Sequence, residues 1–366
     1  MSIKNKINIL LISSSSTLGG GTKHMFMLGE NLKYNYNIYY AIPINKNFRK
    51  FLNDRNHIEI SERKISVFDI FRLSKFIKSK SIDIVHAHGK GAGVISRILI
   101  IFCQKPLIYT FHGIHLKCHS FIKRIIYIIY EFLLGRLDST KVLVSESERE
   151  YARKSKIFLG INNIIINNGV NNMTKKYSKK IENKNINNLR SSMINVISVC
   201  RFVPQKNIFD ILKIAKEIPE VRFSIIGDGP LYGDIKNMVF KNKLKNVVLL
   251  GKKENIFDHL YNSDIYLSTS LYEGLPISIL EAMSIGLPIV ASKVTGNCDT
   301  IINGKSGYLY ELIDIKSAVR YIKKLSRNEK LRINMGNFAH DRQRKLFSKE
   351  LMLKNYDDLY NKLISN

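Results

Sequence analysis

Short apolar runs recur along the chain and alternate with longer segments whose apolar positions fall at helical spacing. In the first half the runs predict strands near Ile7–Ile12, Ile38–Ile42, Ile82–His86, Leu107–Phe111, Lys141–Ser145 and Ile164–Asn167. In the second half they predict strands near Val196–Cys200, Arg222–Gly227, Val247–Leu250, Ile265–Ser268, Pro288–Ala291 and Gly307–Tyr310. Strands that alternate with helices in this way read as α/β, with parallel sheets joined by crossover helices. At 366 residues the chain exceeds what one compact core serves, so two Rossmann-like domains are expected, over 1–170 and 193–344. Between them, 171–192 is rich in Asn and Lys with little apolar periodicity and reads as a linker. A helical pattern from about Lys345 to Ile364 closes the chain, giving a last segment over 345–366.

One segment carries more chemistry than the rest. EGLPISILE, from Glu273 to Glu281, follows the strand-like SDIYLSTSLY, so Glu273 is expected where a strand ends and Pro276 where a helix opens. Glu281 then lies two turns along, and Gly286 supplies the stop before the next apolar strand. Helix N-terminal N–H groups suit phosphates, while the carboxylates accept sugar hydroxyls. The opposing reading makes Glu273 an electrostatic helix cap and Glu281 a solvated surface acid. A second cluster, Arg201-Phe-Val-Pro-Gln-Lys206, follows the strand-like INVISVC, and IIGDGP places Gly227 in a third strand-end turn. Arg grips a diphosphate with a planar fork and Lys adds a point charge. Each alone is ordinary surface chemistry; three at strand ends point to a ligand.

The N-terminal half offers weaker signals. Gly19, Gly20 and Gly21 follow the first strand, where backbone N–H groups can approach a phosphate or sugar, or simply form a flexible loop. His86 and His88 close one strand and His112 another, positions that suit structural hydrogen bonds as well as chemistry. Lys90, in a Gly-Lys-Gly-Ala-Gly turn, suits an acidic or phosphate-bearing acceptor or plain solvation.

Taken together, Arg201 with Lys206, the Gly-Asp-Gly-Pro turn, the Glu273/Glu281 pair and Gly-Leu-Pro-Ile-Val-Ala resemble the retaining family 4 glycosyltransferases of the GT-B fold. INILLISSSSTLGGGTKH, DIVHAHGKGAG, YTFHGIH and INNGV extend the resemblance over nearly the whole chain. It implies two Rossmann-like domains facing a central cleft, with the last helix packing back on the first domain. It also implies a retaining transfer from a nucleotide-diphosphate sugar to a glycan acceptor, lipid-linked and destined for capsule, O-antigen or exopolysaccharide. On this pattern Arg201 and Lys206 meet the charge of the departing diphosphate. Glu273 holds donor-sugar hydroxyls, Glu281 the nucleotide ribose, and His112 lies beside the transferred sugar. Gly20, Gly21, Gly227, Gly274, Leu275 and Pro276 line the donor, and His88 and Lys90 meet the acceptor. No Asp-x-Asp metal motif is visible, so neither metal nor cofactor is expected. Cys200 stands where the family commonly has Gly, a departure that bears on the turn before Arg201. A non-hydrolysing sugar-nucleotide epimerase of the same fold, or an inactive GT-B scaffold subunit, fits the same motifs.

Charge adds a partner to the picture. The formal net charge is +28, which admits an anionic membrane surface, nucleic acid or a polyanionic saccharide. No nucleic-acid-binding module is visible and the cations are dispersed, which leaves the membrane first. Phe121 to Leu137, FIKRIIYIIYEFLLGRL, mixes basic, apolar and aromatic residues at helical spacing; it suits either an interfacial helix or a core helix with surface lysines. Six basic residues against one acidic between Thr174 and Arg190 add to the attraction for anionic lipid. No run is long enough to span a bilayer and the N-terminal run reads as a strand rather than a signal peptide. Cys103, Cys118, Cys200 and Cys298 show no paired spacing and read as buried free thiols of a reducing compartment. The expected location is cytoplasmic, peripheral at the inner face of the plasma membrane.

Overall fold

The computed structural model describes residues 6–17, 19–53, 56–116, 120–173 and 193–365. Cys118 and the basic stretch over 174–192 lie outside the described residues. The chain forms two compact units, Met1–Asn167 with Met352–Asn366, and Asn168–Leu351.

The first unit is built on strands β1 (Asn8–Ile12), β2 (Asn37–Ile42), β3 (His57–Glu59), β4 (Ile84–His88), β5 (Leu107–Thr110), β6 (Thr140–Leu143) and β7 (Asn163–Ile165). They pair in the order β3-β2-β1-β4-β5-β6-β7, every neighbour parallel. Helices α1 (Gly20–Leu32), α2 (Val67–Ser79), α3 (Lys90–Cys103), α4 (Phe121–Leu134) and α5 (Glu146–Lys154) make the crossovers. Because strands alternate faces, Leu10, Ile12, Val85 and Ala87 pack under α2 and α3. Ile9, Leu11, Ile84 and Ile108 pack on the other face under α1 and the C-terminal helix. β3 escapes the sequence pattern because three residues at a sheet edge show no periodicity. β4 begins at Ile84 rather than Ile82, whose N–H is taken by the Ile77 carbonyl in the turn after α2.

The second unit holds β8 (Asn195–Val199), β9 (Arg222–Ile226), β10 (Val247–Gly251), β11 (Ile265–Ser268), β12 (Ile289–Ser292) and β13 (Gly307–Tyr310). Their order is β10-β9-β8-β11-β12-β13, again all parallel. Helices α6 (Ile208–Lys216), α7 (Tyr232–Lys241), α8 (Phe257–Tyr261), α9 (Ile277–Ser284), α10 (Asn297–Thr300), α11 (Ile315–Ser326) and α12 (Glu329–Leu346) accompany them. The last helix, α13, runs Lys349–Ser365 and is separate from α12, because Phe347 N–H caps onto Gln343 and Lys349 N–H bonds the Val170 carbonyl. From Met352 onward α13 belongs to the first unit, where Tyr356 and Tyr360 are buried.

In each sheet the strand order reverses once, between β1 and β4 and between β8 and β11. Ligands of open parallel sheets collect at such reversals, beyond the carboxyl ends of the strands.

Candidate active site

In the second unit, the loops after β8 and β11 flank the reversal and carry the predicted cations and carboxylates. Lys206 ends a short helical turn, Pro204–Lys206, and its Nζ forms an ion pair with the Glu273 carboxylate. Backbone lacing fixes this pairing. Thr269 Oγ1 donates to the Lys206 and Asn207 carbonyls at 2.9 and 3.0 Å, Leu271 N–H donates to Gln205 O at 2.8 Å, and Gln205 Nε2 donates to Tyr272 O at 2.9 Å. Glu273 is only 6% exposed and Glu281, inside α9, only 5%. Neither is therefore the solvated surface acid of the opposing reading, and Glu273 answers a lysine rather than acting as a plain helix cap. Pro276 sits at the cap position of α9, one residue before the expected place, with no acid in the first turn. Gly274 and Leu275 are buried beside it, and buried Asn168 Nδ2 holds the Leu275 carbonyl at 2.7 Å. That asparagine belongs to the INNGV run, which sequence reasoning noted without assigning a role.

Arg201 is exposed on the loop after β8. The Gly-Asp-Gly-Pro turn packs directly against that loop, with Phe202 N–H donating to Asp228 O at 2.9 Å. Gly227 is required there: it has φ +144°, and an added Cβ would lie 1.8 Å from the Cys200 carbonyl oxygen. Cys200 itself has no positive φ, so its side chain is accommodated without strain where a glycine is commonly found. Burial pushes its thiol up to about 12. Cys298 is exposed and Cys103 and Cys200 are half-buried, correcting the expectation that the cysteines are buried. Together Cys200, Lys206, Thr269, Ser270, Glu273 and Ser278 line a small recess.

In the first unit, helix α1, the end of β4 and the loop after β5 bring together a histidine cluster. His112 adopts φ +59° just after β5, and its Nε2 shares a 3.0 Å hydrogen bond with His88 Nδ1. Gly21 lies so close that an added Cβ would be 3.2 Å from the His112 ring, which accounts for glycine here in terms of space. Gly20, by contrast, faces open space. His24, one turn into α1, packs edge-on against His112 and His88. His86 is bonded on both sides, to Tyr360 at 2.7 Å and Thr110 at 2.8 Å, a structural role. Lys90 Nζ stands 4.6 Å from the Tyr127 ring centroid.

Burial pushes the histidines toward their neutral forms: His24, His86 and His88 fall well below the usual range, and His112 falls to about 3. Mutual repulsion of the charged rings adds to the effect on the first three. Ligating atoms of His24, His88 and His112 lie within 4.8 Å of one another, a spacing that would also admit a metal. Sequence reasoning missed His24, which no strand end marks. It also missed buried Glu148, which accepts from Gly113 N–H at 2.6 Å and Val144 N–H at 2.8 Å and so fixes the loop carrying His112. The Ser145-x-x-Glu148 capping box was the available signal. A wide surface cavity around Glu30, Lys33, Tyr40 and Asn56 shares no residue with either cluster.

Comparison with known proteins agrees with this geometry. Residues 19–172 match the family described as Glycosyltransferase Family 4, and residues 179–342 match Glycosyl transferases group 1. The chain is 29% identical to an Escherichia coli UDP-Gal:alpha-D-GlcNAc-diphosphoundecaprenol alpha-1,3-galactosyltransferase, over 73% of this chain and 72% of the relative. It is 24% identical to the Staphylococcus aureus capsular polysaccharide biosynthesis glycosyltransferase CapM, over 90% of each. Among solved structures, Anabaena HepE in complex with UDP and glucose superposes with a TM-score of 0.83 at 16% identity, covering 97% of this chain and all (100%) of that one. Matches on both halves, two parallel-sheet units and the laced Lys206–Glu273 loops identify the chain as a GT-B glycosyltransferase of family 4.

Proposed function

We propose that this glycosyltransferase moves a sugar, with retention of configuration, from a nucleotide-diphosphate sugar to a lipid-linked glycan acceptor in surface-polysaccharide assembly. The observation that carries this reading is the buried Glu273 paired with Lys206, with buried Glu281 in the helix that follows, at the strand reversal of the second unit. Departure of the diphosphate breaks the C1–O bond and leaves its electron pair on a phosphate oxygen. Arg201 and Lys206 supply positive charge to meet it, and in this proposal no resident metal is needed. The acceptor oxygen bonds C1 on the same face, and its proton passes to the departing diphosphate. No carboxylate nucleophile is required, so Glu273 and Glu281 are assigned to sugar and ribose hydroxyls rather than to the acid/base pair of a glycoside hydrolase.

Gly227, Gly274, Leu275 and Pro276 are assigned to the donor. In the first unit, His112 is assigned to the transferred sugar, Gly20 and Gly21 to close backbone approach, and His88 and Lys90 to the acceptor. Relatives named for capsular polysaccharide biosynthesis in Staphylococcus aureus and for O-antigen biosynthesis in Escherichia coli support a capsule or O-antigen setting, and the name of the E. coli galactosyltransferase specifies a diphosphoundecaprenol-linked acceptor. A lipid acceptor places the protein at the cytoplasmic face of the plasma membrane. No helix among the described residues is long and apolar enough to cross a bilayer, so contact with it is peripheral in this reading.

The test is incubation with a panel of nucleotide sugars and undecaprenyl-diphosphate-linked acceptors, reading the product's anomeric configuration by NMR. An axial donor giving an axial linkage supports the proposal. An equatorial product overturns retention, and isomerised donor without transfer favours the epimerase.

A further inference from the structure

Helix α4 is inside out. Over its 14 residues, Phe121, Ile122, Ile126, Ile129, Phe132 and Leu133 are each more than half exposed, while the only side chain fully buried is Glu131. At 3.6 residues per turn these apolar positions form one stripe about 140° wide and about 20 Å long, opposite Glu131. The helix is held from below by charge rather than by that stripe. Arg97 Nη2 bonds Glu131 at 2.9 Å and Asp138 at 2.5 Å, and Lys141 pairs with Asp138 at 3.1 Å, all buried. Only Tyr127 and Ile128 of α4 join the apolar core under this face of the sheet. The outward stripe therefore contributes little to folding, and a contiguous exposed apolar surface of this kind marks an interaction site.

We propose that the outer face of α4, with the outward residues of α2, which packs on the same face of the sheet, is a docking surface for an anionic lipid bilayer. Charge selects the partner. The carboxylates carried by α2 and α4, Asp69 and Glu131, are buried and bonded inward, to Ser61 N–H and Arg97. Outward charges are cations that lie over exposed rings: Arg72 over Phe68 at 5.6 Å, Lys75 over Phe71 at 4.4 Å, and Arg136 over Phe132 at 4.2 Å. Apolar and aromatic side chains interleaved with cations match the boundary between acyl chains and anionic headgroups. Two copies of this chain would instead bring cationic faces together. At 14 residues α4 is too short to cross the membrane and lies in its plane.

The proposal deepens the reading of a lipid-linked acceptor and rests on it for its purpose, yet it fails separately. The experiment is co-sedimentation of the full chain with phosphatidylglycerol vesicles and with phosphatidylcholine vesicles, for wild type and Ile126→Glu/Ile129→Glu. These positions are 60% and 51% exposed, so the variant keeps its melting temperature. Expected are preferential binding to phosphatidylglycerol, weakened by salt, and a loss of about 100-fold or more in the variant from two deleted apolar contacts. Equal binding by both proteins, no preference for anionic vesicles, or conversion of a wild-type dimer to a monomer by the substitutions would overturn it. Nucleotide-sugar binding without vesicles is measured alongside: its loss in wild type counts against the proposed function, and its retention with failed sedimentation counts against the docking face alone.

Discussion

Acidification should destabilise the first unit steeply through its buried histidines. His24, His86 and His88 are at most 4% exposed and held neutral, chiefly by burial. For a base whose folded pKa lies below its unfolded value, the unfolded chain binds more protons. Stability is then complete above the unfolded pKa and is lost as pH falls below it. With an unfolded value of about 6.5, moving from pH 7.5 to 5.5 costs about 1.4 kcal/mol per histidine, or about 4 kcal/mol for the three. That is a large share of the 5–15 kcal/mol typical of a domain. His112, partly exposed, is left out of the sum. The assay is urea unfolding followed by far-UV circular dichroism across this range. Replacing His24 by Leu, which removes two ring nitrogens without hydrogen-bond partners, should cut the pH dependence by about a third. A transition midpoint that stays level from pH 7.5 to 5.5, or an undiminished slope in the variant, would refute the reasoning.

Three further outcomes follow from geometry. Arg97→Met leaves Glu131 and Asp138 buried with only Lys141 to answer them, and should cost about 3–5 kcal/mol in thermal or urea unfolding. Gly227→Ala forces a Cβ into the Cys200 carbonyl and should displace the turn against the Arg201 loop, lowering both melting temperature and donor affinity. Glu281→Gln removes a buried carboxylate assigned to the ribose and should weaken nucleoside diphosphate binding about 10- to 100-fold by calorimetry, with unchanged affinity for inorganic diphosphate.

Much of this architecture is legible in the sequence because parallel strands buried on both faces read as continuous apolar runs, as in Ile265–Ser268 and Gly307–Tyr310. The acidic pair is legible for a related reason: Glu273 and Glu281 are tied to a strand end, a proline and a helix, each with its own local signature. What escaped depends on tertiary placement. Periodicity finds the apolar stripe of α4 but not the direction it faces, which is decided by Glu131 seeking Arg97 from a different helix. His24 lies mid-helix with nothing local to mark it, and joins His88 and His112 only once β4 and β5 are side by side. The pairing of Lys206 with Glu273 spans two loops far apart in sequence, whose register the Thr269 and Gln205 hydrogen bonds help to set.

The central claim is that Lys206, held by Glu273, meets the leaving diphosphate of a nucleotide sugar. It is tested most directly by acceptor-dependent release of nucleoside diphosphate from a nucleotide-sugar panel, comparing wild type with Lys206→Ala. The account predicts release by wild type with one donor class and a loss of turnover of about 100-fold or more in the variant, with an unchanged circular dichroism spectrum. Near-normal turnover by Lys206→Ala would contradict it.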